Sequence, residues 1–240
     1  MSNALNAGAI DVVILCGGMG TRLQHVLKDK PKPMADFQNR PFLELLIDYV
    51  AKFGFKRFVL CSGHKGDFIK EYFDIKEDGK SYVISQEAFP LGTAGAIKNA
   101  LPAIHSDVFL AMNGDSICPI DLNSLLSFHG SKNALASVVL AHLEDTSNYG
   151  SVSLGENDAI MSFDEKQDSP NSGWANAGIY IFNKKVLDHI PAGKKMSLEQ
   201  EVFPSLTGKG LYGFTSTSQL LDIGTPERLE QARKYLTHFK

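Results

Sequence analysis

Residues 10–16, Ile-Asp-Val-Val-Ile-Leu-Cys, form an almost unbroken aliphatic run that stops at Gly17-Gly18-Met19-Gly20. A run with so little polar–apolar alternation cannot keep one face in water, so it reads as a strand buried on both faces. Strands of that kind belong to sheets with helices on either side. The following segments fit. Phe42, Leu45, Leu46, Tyr49, Val50 and Phe53 recur at helical spacing between Pro41 and Gly54, which are good start and stop signals. Residues 57–61 read as a second buried strand, 68–73 as a helix, 82–85 as a short strand, 94–101 as a helix and 107–112 as a further buried strand. This alternation predicts an α/β fold with a Rossmann-like, doubly wound sheet and a ligand crevice at the carboxyl ends of its strands. Past residue 133 the rhythm changes to strands at 134–142, 150–154, 159–163 and 177–182 with less helix between them, which makes the sheet mixed. Ser197 to Gln200 (SLEQ) has the form of a capping box, and Thr225-Pro226 opens a last helix with Leu229, Ala232, Tyr235 or Leu236, and Phe239 on one face. One domain over residues 1–240 is expected, with halves at 10–133 and 134–240.

Composition removes several classes. The net charge is −3 and the Lys and Arg residues are spread along the chain, so no nucleic-acid footprint is expected. The short basic pairs Lys184-Lys185 and Lys194-Lys195 read as solvated loop residues. No stretch approaches the ~20 apolar residues of a membrane span, and residues 1–9 lack the basic start and apolar core of a signal peptide. Three cysteines, Cys16, Cys61 and Cys118, cannot complete a disulfide framework and show no metal-ligand spacing. Thiols inside apolar runs point to a reducing, cytoplasmic setting.

The chemistry-bearing residues sit where strands end. In Gly17-Gly18-Met19-Gly20-Thr21-Arg22-Leu23, bare backbone can approach phosphate oxygens and Arg22 offers a planar bidentate donor. Leu23 replaces the third Gly or Ala of a dinucleotide fingerprint, and no Gly-Lys-Ser/Thr follows for a P-loop, so neither motif applies. In Pro31-Lys32-Pro33-Met34 two prolines stiffen the backbone around Lys32. Pro90-Leu91-Gly92-Thr93-Ala94-Gly95 opens a helix, with Thr93 as a possible cap and Gly92 as bare backbone for a base or ribose. Asn113-Gly114-Asp115 ends a buried strand and Asp222 closes the apolar stretch Leu220-Leu221-Asp222-Ile223. Two hard carboxylates with substrate phosphates and waters are the usual way to hold Mg²⁺. Glu165 could accept from hydroxyls, Lys166 could hold a phosphate, and Asn176 can both donate and accept.

In this order the stretches GGMGTRL, PKPM, PLGTAG, NGD, Tyr149-Gly150, Glu165-Lys166, Asn176-Ala177-Gly178 and DIGTP resemble those of the sugar-1-phosphate nucleotidylyltransferases from residue 10 to about 235. The resemblance implies catalytic roles for Arg22, Lys32 and Asp115, and a nucleotide site at Leu15, Gly17, Gly18, Gly20, Thr21, Gln86, Gly92 and Thr93. It implies a sugar-phosphate site in the second half, at Asn113, Gly150, Glu165, Lys166 and Asn176, and Mg²⁺ at Asp115 and Asp222. Partners would be a nucleoside triphosphate and a sugar 1-phosphate, with self-association as a homodimer. Many members carry a C-terminal helix of short strands. This chain reaches Lys240 through an amphipathic helix, and no such β-helix is expected.

A phosphate monoester is largely a dianion near neutral pH, so it needs no general base to attack the α-phosphorus of a triphosphate. The task is to bring polyanions together by positioning and charge neutralisation. Rival readings fit less well. Leu23 disfavours a dinucleotide-dependent oxidoreductase, Ser116-Ile117 after Asp115 breaks the Asp-x-Asp of many glycosyltransferases, and intact Arg22, Lys32 and both aspartates disfavour a silent binding subunit. Gln86 could pair with uracil, thymine or guanine alike, whereas Glu87, acceptor-only, suits the adjacent N1 and N2 donors of guanine if it faces the pocket. Cys16-Gly17-Gly18, Lys32-Pro33-Met34-Ala35 and Arg40-Pro41-Phe42-Leu43-Glu44 look most like short guanylyltransferases of D-glycero-α-D-manno-heptose 1-phosphate that serve surface polysaccharide synthesis. Mannose-1-phosphate guanylyltransferases and N-acetylmuramate-1-phosphate uridylyltransferases come next, and GTP is the expected nucleotide.

Overall fold

The structure, a computed structural model, describes residues 5–18, 20–27, 30–147, 149, 151–164 and 172–236. Its first half runs β1 (Asp11–Leu15), α1 (Gln24–Leu27), the short strands β2 (Asp36–Phe37) and β3 (Arg40–Pro41), α2 (Phe42–Ala51), β4 (Arg57–Ser62), α3 (Gly66–Asp74), β5 (Ser81–Gln86), α4 (Gly92–Asn99) and β6 (Val108–Asn113). There follow β7 (Ser116–Ile117), α5 (Leu122–Lys132), β8 (Ala136–Leu143), β9 (Ser151–Leu154), β10 (Ile160–Asp164) and β11 (Gly173–Asn183), then α6 (Phe203–Leu206), β12 (Leu211–Ser216), β13 (Leu221–Asp222) and α7 (Pro226–Leu236).

The early strands pair in parallel, β1 with β4 and β6, and β4 with β5. Parallel neighbours need crossover connections, which the intervening helices supply. At β6 the sheet changes sense, because β11 runs antiparallel to it and to β8. The order β10-β9-β11-β6-β1-β4-β5, with β8 and β12 joined on through β11, is one continuous mixed sheet built from both sequence halves. No helix among the described residues is long and apolar enough to cross a membrane.

The unbroken run in β1 is explained by burial on both sides. Val12 and Ile14 point into one apolar cluster with Phe42, Leu46, Ile69, Phe73, Leu125 and Leu229, hence under α2, α3, α5 and α7. Val13 points into the other, with Ala94, Ile97, Phe109, Tyr180 and Phe203, under α4 and α6. Each fully buried side chain of this size is worth roughly 1.5–3 kcal/mol, so a polar residue anywhere in β1 would be costly on either face. The exception, Asp11, is tied at the far end from the site. Arg57 donates to it at 2.6 Å and the His105 and Ser106 N–H groups at 2.5 and 2.9 Å. Burial raises its pKa, but these donors outweigh it and leave the carboxyl below its usual range.

Three features differ from expectation. Helix α5 has an N-cap in Asp121, which accepts from Asn123 N–H at 2.9 Å and Ser124 Oγ at 2.8 Å. Its buried side, Leu122, Leu125, Leu126 and His129, keeps helical spacing but is short and ends in a polar residue, with Gly130 next, which weakens the helical signal. At Ser197, the hydroxyl accepts from Gln200 N–H at 3.2 Å, but the return contact to Ser197 N–H comes from Glu201 at 2.8 Å rather than from Gln200. The turn that follows is π-helical over Leu198–Val202, whose wider winding brings the i+4 carboxylate back in place of the i+3 amide. In α7, Leu236 rather than Tyr235 is the buried member, and Phe239 lies outside the described residues.

Burial at the end of α5 sets a pH dependence. His129 is buried and its Nδ1 lies 2.9 Å from Ser137 Oγ. That burial lowers its pKa to about 4. An unfolded histidine titrates near ~6.5, so between these values the unfolded chain binds a proton that the folded chain refuses, and stability falls as pH falls. Urea unfolding of the wild type should lose about 2 kcal/mol between pH 7 and pH 5 from this residue alone, and His129→Gln should flatten that part of the profile. Parallel profiles for the two proteins would refute the assignment.

Candidate active site

At the carboxyl end of β6 the chain turns through Gly114-Asp115 into β7, whose partner is β13. Ser116 pairs with Asp222, and Ile223 N–H donates to the Asp115 carbonyl at 3.0 Å. This two-stranded ribbon brings together the two aspartates that the sequence keeps far apart. Gly114 permits the approach, since a side chain there would start 2.8 Å from the Leu15 carbonyl of β1. Lys32, on a 3-10 turn anchored by buried Pro33 and Met34, donates to Asp115 Oδ2 at 2.6 Å. A side chain at Gly224 would start 2.7 Å from Asp222 Oδ1 and 3.7 Å from Lys32 Nζ, so the same ammonium lies near the second carboxylate. Asp222 has further partners. Its Oδ2 accepts from Arg228 at 2.9 Å and from the Tyr149 hydroxyl, and its Oδ1 accepts from Gly224 N–H at 2.8 Å. Burial and the neighbouring carboxylate hold the Tyr149 phenol well above its usual range, so it remains a donor.

Beside this cluster lies a cavity of about 480 Å³ lined by Leu15, Gly17, Gly18, His64, Glu87, Phe89, Gly92, Thr93 and Lys195 among others. Glu87 faces into it. Its Oε2 accepts from Leu91 N–H at 2.7 Å, while Oε1 lies 2.8 Å from where a side chain on Gly17 would begin. Burial pushes this carboxyl up, and the Leu91 N–H offsets part of the effect. Gln86 does not line the cavity. It ends β5, and its amide nitrogen approaches Gly66 at the start of α3 instead.

On the other side of β6, Asn113 fits against Gly178 of β11. There φ is +74° and a side chain would start 2.5 Å from the Asn113 amide nitrogen, so only glycine serves. The register of β11 slips between Asn176 and Tyr180, a bulge that re-aims its side chains. Asn176 donates to the Tyr180 hydroxyl at 2.9 Å and accepts from Gly178 N–H at 2.9 Å. Tyr180 in turn donates to Glu199 at 3.5 Å.

The site thus gathers Lys32, Asp115 and Asp222, sets Leu15, Gly17, Gly18, Gly92 and Thr93 around one cavity, and puts Asn113 and Asn176 beyond β6. Gly20 backs onto the Lys32 stem, and Thr21 and Arg22 occupy a turn held by buried Leu23, with the Arg22 side chain exposed. Gly150, Glu165 and Lys166 lie outside the described residues.

Against this geometry, the comparisons with known proteins are informative. Residues 11–238 match the family model described as Nucleotidyl transferase. The chain belongs to the nucleotidyl transferase family. It is 38% identical over 221 residues to D-glycero-alpha-D-manno-heptose 1-phosphate guanylyltransferase of Campylobacter jejuni, covering 91% of this chain and 96% of that protein. It is 36% identical over 222 residues to mannose-1-phosphate guanylyltransferase of Mycobacterium tuberculosis, covering 91% of this chain but 62% of the relative's length. The crystal structure of HddC from Yersinia pseudotuberculosis complexed with GMP-PN superposes with a TM-score of 0.83 at 33% identity, over 96% of this chain and all of that one. The mixed α/β fold expected for this family is therefore the observed one.

Sequence reading passed over the contacts made by Arg228, Glu199 and Lys195, and Thr93 and Gly92, which line the cavity, also hold a second segment. Thr93 is not the cap of α4, which starts after Leu91 with no side-chain cap. Its hydroxyl accepts from Leu198 N–H at 2.8 Å and donates to Glu199 at 3.1 Å. Gly92, at φ +72°, does not leave its side-chain direction open for a base, because the Met196 carbonyl occupies it at 2.6 Å. Both residues clamp segment 194–199 onto the start of α4. Gly92→Ala should therefore lower stability by more than the ~1–3 kcal/mol of a strained φ. Gly79→Ala, at φ +77° with nothing within 4 Å, should show the backbone effect alone. Equal melting temperatures for the two variants would show that the 194–199 contact carries no weight.

Proposed function

We propose that this chain transfers a guanylyl group from GTP to a sugar 1-phosphate, with release of pyrophosphate, and that the sugar is D-glycero-α-D-manno-heptose. The observation that carries the base assignment is Glu87 in the cavity beside Gly17 and Gly18. A carboxylate accepts the adjacent N1 and N2 donors of guanine, whereas uracil and thymine oppose it with a carbonyl next to their single N–H. The heptose assignment is supported by the near-complete length match to the Campylobacter jejuni protein. Mannose 1-phosphate is the competing acceptor, supported by the Mycobacterium tuberculosis relative.

In this reading a sugar-phosphate oxygen attacks the α-phosphorus of GTP, one P–O bond forms, and the bond to the β-phosphate oxygen breaks with its electrons leaving on pyrophosphate. No covalent enzyme intermediate is needed. The residues fit a divalent cation of the Mg²⁺ kind. Asp115 and Asp222 are hard oxygen donors joined by the β7–β13 ribbon, Asp115 against the Lys32 ammonium and Asp222 against Arg228, and no group of three or more metal-binding side chains occurs among the described residues. Two carboxylates completed by phosphates and water suit Mg²⁺. When bound, it would supply charge neutralisation at the reacting phosphates. Lys32, from its proline-stiffened turn, and exposed Arg22, from the glycine-rich turn, would neutralise the triphosphate. Asn113 and Asn176, with Gly150, Glu165 and Lys166, orient the sugar phosphate. The division into a nucleotide half (10–133) and a sugar-phosphate half (134–240), a cytoplasmic location and a homodimer complete the proposal, and light scattering decides the last.

Asp115→Ala and Asp222→Ala should each cut turnover at least about a hundredfold, since the metal position is worth several kcal/mol at the transition state, with circular dichroism unchanged. Near wild-type rates in saturating Mg²⁺ would remove that aspartate from the site. Four nucleoside triphosphates assayed against heptose, mannose, glucose and N-acetylmuramate 1-phosphates, read by pyrophosphate, test the substrates. Preference for UTP or dTTP sinks the guanylyl reading, and faster turnover of mannose 1-phosphate sinks the heptose one.

A further inference from the structure

Lys195 reads in the sequence as half of a solvated basic pair, yet it lines the cavity that holds Glu87, and the reaction above leaves it without a role. Its backbone is pinned on both sides. Met196 N–H donates to the Leu91 carbonyl at 2.8 Å, and the Met196 carbonyl accepts from Ala94 and Gly95 N–H at 3.0 and 3.3 Å. The Lys194 carbonyl sits 2.6 Å from where a side chain on Gly95 would begin. Leu91 also donates its N–H to Glu87 at 2.7 Å. One residue therefore holds Glu87 through its N–H and the neighbour of Lys195 through its carbonyl. The Lys195 side chain is exposed and has no ion-pair partner among the described residues.

A carboxylate and an ammonium on the rim of one cavity form a polarity code. Guanine offers donors at N1 and N2 beside an acceptor at O6, whereas adenine reverses N1 and the 6-position, with an acceptor at N1 and a donor at N6, and has no 2-amino group. The Glu87–Lys195 pair complements the first edge and opposes the second. We propose that Lys195 donates to O6 of guanine and is the second half of a base reader whose first half is Glu87. This rests on the guanylyl reading above.

The test uses two base analogues: inosine triphosphate has no 2-amino group, and 2-aminopurine riboside triphosphate has neither O6 nor the N1 proton. The kcat/KM ratio of GTP to the 2-aminopurine analogue should fall about tenfold in Lys195→Met, the scale of one lost polar contact. The GTP-to-ITP ratio should hold, and Lys195→Arg should restore the first ratio. Because Glu87 faces both N1 and N2, Glu87→Gln should instead lower GTP against ITP and against the 2-aminopurine analogue alike. An unchanged GTP-to-2-aminopurine ratio in Lys195→Met overturns the proposal, as does an equal loss for every triphosphate, which would place the ammonium on phosphates instead. Preference of the wild type for UTP would overturn the guanylyl reading itself, a separate outcome.

Discussion

The donation of Ile223 N–H to the Asp115 carbonyl is the contact on which the active end of the molecule depends. Through it the β7–β13 ribbon brings two aspartates to the same end of a buried sheet. Like charges gathered at one sheet end repel one another. The structure answers with two cations, Lys32 on Asp115 and Arg228 on Asp222, which leave the cluster neutral. Proline on each side of Lys32 limits what its turn loses in entropy on being held there. Arg228, stacked over Tyr149 at 5.1 Å, also fixes the orientation of Asp222.

A second constraint joins the halves of the sheet. Gly92 and Gly95 lack side chains because the Met196 and Lys194 carbonyls occupy those positions, and the Thr93 hydroxyl completes the clamp onto Leu198 and Glu199. The PLGTAG stretch thus serves the second half as much as a nucleotide. It fixes the segment bearing Glu199, which reaches Tyr180 and through it Asn176, so groups on the two sides of β6 are set by one hydrogen-bonded chain.

How much of this was legible in the chain follows from the range of the forces involved. β1 and β4 were plain because burial on both faces leaves a local mark, an aliphatic run. α5 was not, since its buried stripe is short, ends in the polar His129 and is followed by Gly130. The ribbon between Ser116 and Asp222 is two residues long on each side, and no local pattern specifies a pairing so remote. The Asp115 and Asp222 roles were guessed from their strand-end positions, but their charge partner Arg228 lies on the exposed-looking face of an ordinary helix. Gln86 and Glu87 show the limit at its sharpest. Strand side chains alternate in direction, so a one-residue uncertainty in where β5 ends decides which of the two enters the cavity.

The same forces explain what the site lacks. Burial raises the pKa of the Cys16 and Cys61 thiols well above their usual range and that of Cys118 to about 11, so none is a thiolate. Tyr149 and Tyr180 are kept protonated by burial and by the acids beside them. Every candidate nucleophile among these groups is locked in its neutral form. What remains at the strand ends is an arrangement of fixed charges, Lys32, Arg228, Asp115 and Asp222, with Arg22 exposed nearby. Such an arrangement of balanced charges is suited to a reaction in which both partners arrive as anions and the attacking oxygen is supplied by the substrate.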